Sequence, residues 1–206
     1  MYGLAQTVAP AAEPITTVQA KAWLRVSSSS DDTLIDELIA DAREYVERVS
    51  GRQLVTATWR MTLDTFPRPG GWQFLEVPGL FPDPHSIRLP KAPLQSVSSV
   101  AYYDFSDVLN TLATTRYDVD AAHDPGRIFL AMGQTWPVVR LKPGAVRITF
   151  VAGYGAAASV PEEVKLAIKF AVAFWYENRG ETPVELPPAS LALLDLIWNG
   201  ELEYGL

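Results

Sequence analysis

The amino-acid sequence predicts an α+β fold in which a discontinuous α-helical bundle carries an inserted antiparallel β domain. Apolar residues recur with the 3.6-residue helical period near both ends of the 206-residue chain. Between these ends, short alternating segments are separated by frequent Pro and Gly, which is typical of antiparallel strands. The predicted parts are a flexible N-terminal arm at 1–14, the helical bundle at 15–51 and 160–180, the β domain at 52–151, and a C-terminal tail at 181–206.

Two helices are expected in the first part of the bundle. A short helix covers 15–25, and a longer one follows the serine run and covers about 31–50. Ser30 or Asp31 is the expected N-cap of the longer helix, and Gly51 is its expected terminator. Its apolar stripe comprises Leu34, Ile35, Leu38, Ile39, Ala42, Tyr45, Val46 and Val49.

After Gly51 the period changes to two, beginning with LVTATWRMTLD. Gly153-Tyr154-Gly155 is expected to form a tight turn from strand to helix, because glycine adopts backbone dihedrals that other residues avoid. It lacks the GxGxxG and GK[ST] patterns of phosphate-binding loops. Further strands are expected at about 72–77, 85–89, 96–103, 115–119, 127–130 and 145–151.

The second part of the bundle is a strongly apolar helix that ends near 178. Pro161 is expected at its first helical position, followed by two glutamates at the positive end of the helix dipole. The chain then ends in PPASLALLDLIWNGELEYGL, although termini are usually polar. This tail either folds back onto the helix at 161–178 or enters another protein, and the two alternatives are compatible.

Composition and charge exclude several classes of protein. Apolar residues make up 48% and charged residues 20% of the chain, as in ordinary globular proteins, and cysteine is absent. The net charge is −7, and Lys and Arg form no cluster of the kind that grips DNA. With no secretory signal and no apolar run long enough for a bilayer, the expected product is soluble and cytoplasmic and contacts no membrane.

Residues for catalysis or metal binding are sparse. His85 and His123 are 38 residues apart beside turns, so a metal site with Asp83 or Asp124 is disfavoured. The GxSxG nucleophile motif is absent, and the acidic pairs are explained by helix starts and turns. The sequence therefore indicates a protein that is not an enzyme and that has no catalytic residues, cofactor or metal.

A series of segments in a fixed order resembles the head–tail connector (adaptor) proteins of tailed bacteriophages and gene transfer agents. The segments are AKAWLRVSSSSDDTLIDELIADAREYVERVSGRQLVTATWRMTLDTFP, IRLPKAPLQSVSSVAYYD, YDVD, VRITFVAGYG and VPEEVKLAIKFAVAFWYENRG. The resemblance covers about 17–180. It is less marked at the far N-terminus and over the last twenty residues.

This resemblance implies a structural role in the neck of a virion or virus-like particle assembled in the host bacterial cytoplasm. Such adaptors form a ring, usually twelve-fold, under the portal protein. They extend the DNA channel, through which DNA passes without specific binding, and they provide a platform for a head-closure (stopper) or tail protein. No catalysis and no cofactor are implied, and the C-terminal segment is expected to dock against the portal.

Two groups of site residues follow from this interpretation. The portal-binding residues expected in the tail are Leu191, Leu194, Ile197, Trp198, Leu202 and Tyr204. Residues 31–50 carry seven acids and two arginines, and this helix either lines the channel or faces solvent. Its candidate channel-lining acids are Asp36, Glu37, Asp41 and Glu44.

Two other functions remain open on the sequence alone. The chain is alternatively a head-closure, tail-completion or minor tail protein of the same particle, which its direct neighbour would reveal. A carbohydrate-binding module built on the β domain is a more remote alternative. Exposed aromatic residues on one sheet face and measurable sugar binding would support it.

Overall fold

The structure is a computed structural model that describes residues 2–67, 85–178 and 186–202. It confirms the predicted α+β class, because helices from both ends of the chain form one unit and antiparallel strands form another. We call these the β unit, Met1–Pro10 with Thr56–Gly153, and the helical unit, Ala11–Val55 with Tyr154–Leu206. The inserted segment was expected at 52–151, a few residues earlier at each end.

The helical unit contains four described helices, α1 (Thr17–Leu24), α2 (Asp32–Ser50), α3 (Glu162–Glu177) and α4 (Pro188–Leu202). A capping box starts α1, since the Thr16 hydroxyl accepts the Gln19 N–H and the Gln19 side chain accepts the Thr16 N–H. Gly51 ends α2 at φ 68°, as predicted. Pro161 is the N-cap of α3 and not its first helical residue, because its ψ of 141° is extended.

The core of the helical unit lies where α2 and α3 pack together. Val49, expected in the apolar stripe of α2, is instead exposed, and Arg43 and Glu47 are buried. No described helix is both long and apolar enough to cross a bilayer. The fully or nearly fully buried residues contributed by α2 and α3 are Ile35, Ile39, Ala42, Val46, Val164, Ala167, Ile168, Ala171 and Val172.

The β unit contains eight described strands in two antiparallel sheets. The five-stranded sheet has the order β1-β2-β8-β4-β5, and the three-stranded sheet has the order β3-β7-β6. In the five-stranded sheet β8 pairs with β2 on one side and β4 on the other. The strands are β1 (Gly3–Val8), β2 (Ala57–Leu63), β3 (Ser86–Arg88), β4 (Leu94–Tyr103), β5 (Leu109–Thr111), β6 (Tyr117–Asp120), β7 (Arg127–Leu130) and β8 (Val146–Ala152).

Two strands differ from the sequence-based expectation. Residues 1–14 were expected to form a flexible arm, but Gly3–Val8 pairs with β2. Sequence periodicity does not reveal this pairing, because among the described residues up to Val8 it is Tyr2 and Leu4 that pack against the core of the β unit. Strand β5 is only three residues long and was not expected. The strand expected at 72–77 lies outside the described residues.

The core of the β unit is lined by alternate residues of its strands. On β8, Val146, Ile148 and Phe150 are fully buried, and Arg147 and Thr149 between them are not. The chain leaves β8 through Gly153 and Gly155, at φ 127° and 124°. These dihedrals confirm the turn that the GYG sequence predicts, since residues with a Cβ rarely adopt them.

Candidate assembly surfaces

The first half of α4 packs against α3 within the helical unit. The buried Ser190 hydroxyl donates a hydrogen bond of 2.8 Å to the Ala167 carbonyl oxygen. Leu194, one turn later on the same face, is 2% exposed and belongs to the core. Leu194 was expected to bind a partner, but it is inaccessible to one as long as α4 stays on α3.

The other predicted tail residues have different positions. Leu191 is 39% exposed, and Ala192 and Asp195 near it are exposed as well. For Ile197, Trp198 and Leu202 the structure describes the backbone of α4, and Tyr204 lies outside the described residues. Of the six predicted residues, the structure therefore places Leu191 at the surface and Leu194 in the core.

The four candidate channel acids share the exposed side of α2. Asp36, Glu37, Asp41 and Glu44 are all exposed. Asp36 accepts a hydrogen bond from the Thr17 hydroxyl of α1, and Glu44 accepts a weak one of 3.4 Å from the neighbouring Arg43. These acids give one side of α2 a concentrated negative charge.

Charged residues missed by the sequence analysis lie on the buried side of α2. Arg43 donates to Glu13 at 2.7 Å and to Glu47 at 3.0 Å. Burial by itself lowers the pKa of Arg43, but the adjacent carboxylates of Glu13, Glu47 and Glu44 outweigh it and raise that pKa above its usual value. The spacing in the sequence could have revealed this burial. Arg43 lies four residues after Ile39 and four before Glu47, and residues four apart lie on the same face of a helix.

The hairpin between β4 and β5 carries exposed apolar side chains. Phe105 at its tip is 71% exposed, and Val108 and Leu109 beside it are also exposed. The hairpin is held by Asp104, which accepts hydrogen bonds from the Ser106 and Val108 N–H groups and the Asn110 amide, at 2.8–3.0 Å. These bonds, that of Val108 most strongly, lower the pKa of Asp104 below its ordinary 3.8.

A second charge cluster ties this hairpin to the segment before β8. Asp107, at φ 63°, pairs with Lys142 and, at 3.3 Å, with Arg140. The hydrogen bond from Lys142 is the main cause of a lowered Asp107 pKa. Val138 and Leu141, in the same segment, are exposed. The hairpin and this segment together present exposed apolar side chains next to a charged cluster.

The five-stranded sheet has two outer edges among the described residues, β1 and β5. All of β1 except Leu4 is exposed, and so are Leu109 and Thr111 of β5. A bulge between Gln6 and Val8 disturbs the β1 register. The regular part of β1, Gly3–Gln6, is close to β5 in length.

The histidines do not form a metal centre in the part of the chain that the structure describes. His85 and His123 are both exposed, and no group of three potential ligand residues comes together there. The backbone N–H of His123 donates to the Asp120 carboxylate at 3.2 Å, within a turn. Asp120 also pairs with Arg127 at 3.0 Å, which is the main cause of its lowered pKa.

Comparison with known proteins gives one family. The sequence model of the family described as "Phage gp6-like head-tail connector protein" matches residues 15–123, just over half of the chain. No curated protein matches the chain.

Solved structures with a similar fold come from gene transfer agent (GTA) particles. A chain in the neck of the empty particle computed with C6 symmetry has a TM-score of 0.72 and 19% identity, covering 94% of this chain and 93% of that one. A chain in the native virion gives 0.72 and 19%, over 95% and 94%. A chain in the native neck computed with C12 symmetry gives 0.65 and 21%, over 95% and 93%. At these identities the likeness shows a shared fold across nearly the whole chain.

Proposed function

The chain belongs to the phage gp6-like head–tail connector protein family, and from this premise we propose that it forms a ring in the neck of a phage-like particle. The ring lies under the portal protein, extends the DNA channel and is the attachment platform for a head-closure or tail protein. Its role is structural and not catalytic, and the particle is assembled in the bacterial host cytoplasm. The observation that carries this proposal is the family match over residues 15–123.

Twelve copies are the proposed stoichiometry. Chains of the same fold occur in a particle neck that was computed with C12 symmetry and in another computed with C6 symmetry, which twelve copies also satisfy. A cryo-EM map of the particle neck tests the ring, its copy number and its neighbours together. Density for this chain elsewhere in the particle would contradict the proposal.

The C-terminal segment at 181–206 is the proposed portal-docking element. Among the described side chains of α4, Leu191 is an exposed large apolar residue, and Leu194 joins the surface only when α4 leaves α3. The further residues proposed for this surface are Ile197, Trp198, Leu202 and Tyr204.

A single tail would be a weak anchor. Burying a leucine-sized side chain stabilises by about 1.5–3 kcal/mol, and ordering the backbone costs about 1–2 kcal/mol per residue. A ring of tails on a ring of portal subunits multiplies the attachment without any new kind of contact. The tail therefore favours binding by an assembled ring over binding by one copy.

Truncation after Asp195 is the sharpest test of the tail. It keeps Leu186, Ser190 and Leu194 in place, so the shortened chain is expected to fold and form the ring. Binding of this variant to purified portal rings is expected to fall at least tenfold. Deletion of 187–206 is the matched comparison, since it also removes core residues and is expected to destabilise the helical unit. Undiminished portal binding after the shorter truncation would exclude the anchor.

The exposed acids of α2 are proposed to face the DNA channel. A channel wall that is negatively charged, like the DNA phosphates, allows DNA to slide past. Lys and Arg in the wall would bind the phosphates, because their contacts release the counterions of DNA. Replacing Asp36, Glu37, Asp41 and Glu44 with Lys is expected to give assembled rings salt-dependent DNA retention in a filter-binding assay. Glu163→Lys, at an exposed acid of α3, is the control. If the four-lysine ring retains no DNA, the acids face solvent outside the channel.

The direct neighbour decides between this role and the head-closure, tail-completion or minor tail alternatives. Crosslinking within intact particles, followed by mass spectrometry, is expected to join the tail to the portal protein. Crosslinks to tail proteins alone would favour one of the alternatives.

A further inference from the structure

The two outer edges of the five-stranded sheet suggest how neighbouring copies meet. We propose that β1 of one copy pairs with β5 of a second copy, so that the sheet continues from subunit to subunit. The inference rests on the ring proposed above and identifies the interface between its copies. Within the described residues β1 has one strand neighbour, β2, and β5 has one, β4.

Both edges lack the charges that normally protect exposed strands. Residues 1–12 contain no charged side chain, and neither do residues 108–115. Isolated domains usually blunt such edges with Lys, Pro or inward-pointing charges, because unpaired backbone N–H and C=O groups recruit other strands. The bulge next to Val8 protects only the end of β1 and leaves Gly3–Gln6 regular. These edges are suited to be covered by a further strand.

The symmetry of a ring favours a second copy as the occupant. A ring of more than two copies requires two different surfaces on each subunit, each complementary to the other. The strands β1 and β5 lie four strand spacings apart in one sheet, which is about 19 Å at about 4.8 Å each. They cannot pair within one chain, but they can pair head to tail between copies. The exposed Phe105, Val108 and Leu109 would then border this junction.

The two faces of the sheet also match at this junction. On β1, Leu4 packs against the core of the β unit, which places Ala5 on the opposite face. After β5, Leu112 is buried in the same core, so Thr111 and Leu109 lie on the opposite face. In a continuous sheet, side chains that lie on one face in the first copy must lie beside side chains on the same face in the next copy. A shift of one residue in the pairing would place opposite faces side by side. Ala5 of one copy is therefore expected beside Thr111 or Leu109 of the next.

Cysteine crosslinking tests this pairing directly, because the natural chain has no cysteine. Two double variants cover the same-face registers, Ala5→Cys with Thr111→Cys and Ala5→Cys with Leu109→Cys. A disulfide requires Cα atoms within about 7 Å, so it cannot form between these positions inside one copy. After mild oxidation at high protein concentration, at least one double variant is expected to give a ladder of covalent multimers on non-reducing gels.

The controls are the single-cysteine variants and the pair Ala5→Cys with Val119→Cys, which combines β1 with an exposed position on the other sheet. All of these are expected to remain largely monomeric on the gel. Absence of a ladder from both double variants overturns the edge pairing. Efficient dimers from Ala5→Cys alone also overturn it, because they indicate a symmetric contact of β1 with β1.

Electron microscopy of the same samples separates this inference from the proposed ring. Closed rings without a cysteine ladder would retain the ring and reject the pairing. A ladder with open filaments would retain the pairing and reject the closed ring. A ladder with closed rings supports both, and the ladder is then expected to end at the copy number of the ring.

Discussion

The Glu47 carboxylate, near the end of α2, accepts a hydrogen bond of 3.0 Å from the backbone N–H of Leu54. Its same oxygen accepts a 2.7 Å bond from the Gln53 side chain, and its other oxygen accepts Arg43. Glu47 thus fastens the segment that follows α2 to the helix itself. Because Leu54 lies two residues before the β unit begins at Thr56, the carboxylate fixes the place where the chain leaves the helical unit.

Glu47→Gln is expected to destabilise the helical unit by about 3–5 kcal/mol, because it breaks a buried ion pair and leaves Arg43 undercompensated. Urea denaturation followed by circular dichroism measures the loss. Glu44→Gln is the matched control, since Glu44 also contacts Arg43 but its side chain is 70% exposed, and it is expected to cost at most about 1 kcal/mol. Equal losses from the two variants would show that burial of Glu47 is not decisive.

Leu194→Ala is expected to cost about 2–5 kcal/mol, because it empties a buried position between α3 and α4. Leu191→Ala, three residues earlier and partly exposed, is expected to change stability by less than about 1 kcal/mol and to weaken portal binding instead. Thermal denaturation and portal pull-down assays measure the two effects. A stable Leu194→Ala variant would mean that α4 contributes little to the core.

The β4–β5 hairpin is expected to loosen in acid. The pKa of Asp104 in this hairpin lies below its ordinary 3.8. At any pH above 3.8 the ionised carboxylate therefore keeps its hydrogen bonds and stabilises the hairpin. This contribution is lost as the pH falls through the lowered pKa, below pH 3.8. Amide NMR signals of Ser106 and Val108 are expected to shift in that window. In Asp104→Asn this response is expected to disappear, and a midpoint above 3.8 would contradict the assignment.

Gly155→Ala is expected to destabilise the turn after β8 by about 1–3 kcal/mol, because φ 124° is rarely adopted by residues with a side chain. The added Cβ would also lie 3.2 Å from the Ser159 hydroxyl oxygen. Gly133→Ala is the comparison, at φ 76° with open space around it, and is expected to cost about 1 kcal/mol. Chemical denaturation of both variants measures the difference in the free energy of unfolding. An unchanged stability of Gly155→Ala would contradict the expected backbone strain of the variant.

The sequence allowed the long elements to be predicted, since their burial follows a regular period. In α2, Ile35, Ile39, Ala42 and Val46 repeat at helical spacing and are buried. In β8, alternate residues are buried in the same way as the sequence alternates. Strand β1 was missed because it pairs with β2 residues that are fifty or more positions away in the sequence, and such pairing leaves little trace in local polarity.

The candidate surfaces were less predictable, because an apolar residue looks the same in a core and in an interface. The tail leucines illustrate this, since Leu191 and Leu194 are three residues apart but differ in their access to a partner. The buried charges of α2 were missed for the opposite reason. From the sequence, charged residues such as Arg43 and Glu47 are expected to face solvent. The structure shows that Arg43 pairs with Glu13 and that Glu47 accepts a hydrogen bond from Gln53, which allows both to be buried.

The division of the helical unit between the two ends of the chain has a consequence during synthesis. Residues 51–161 separate the end of α2 from the start of α3. At about 5–20 residues per second, the ribosome needs on the order of 10 s to deliver α3 after α2 has emerged. During that interval α3 does not yet cover Ile35, Ile39 and Val46. The nascent chain can then associate prematurely with other copies of itself or be bound by chaperones.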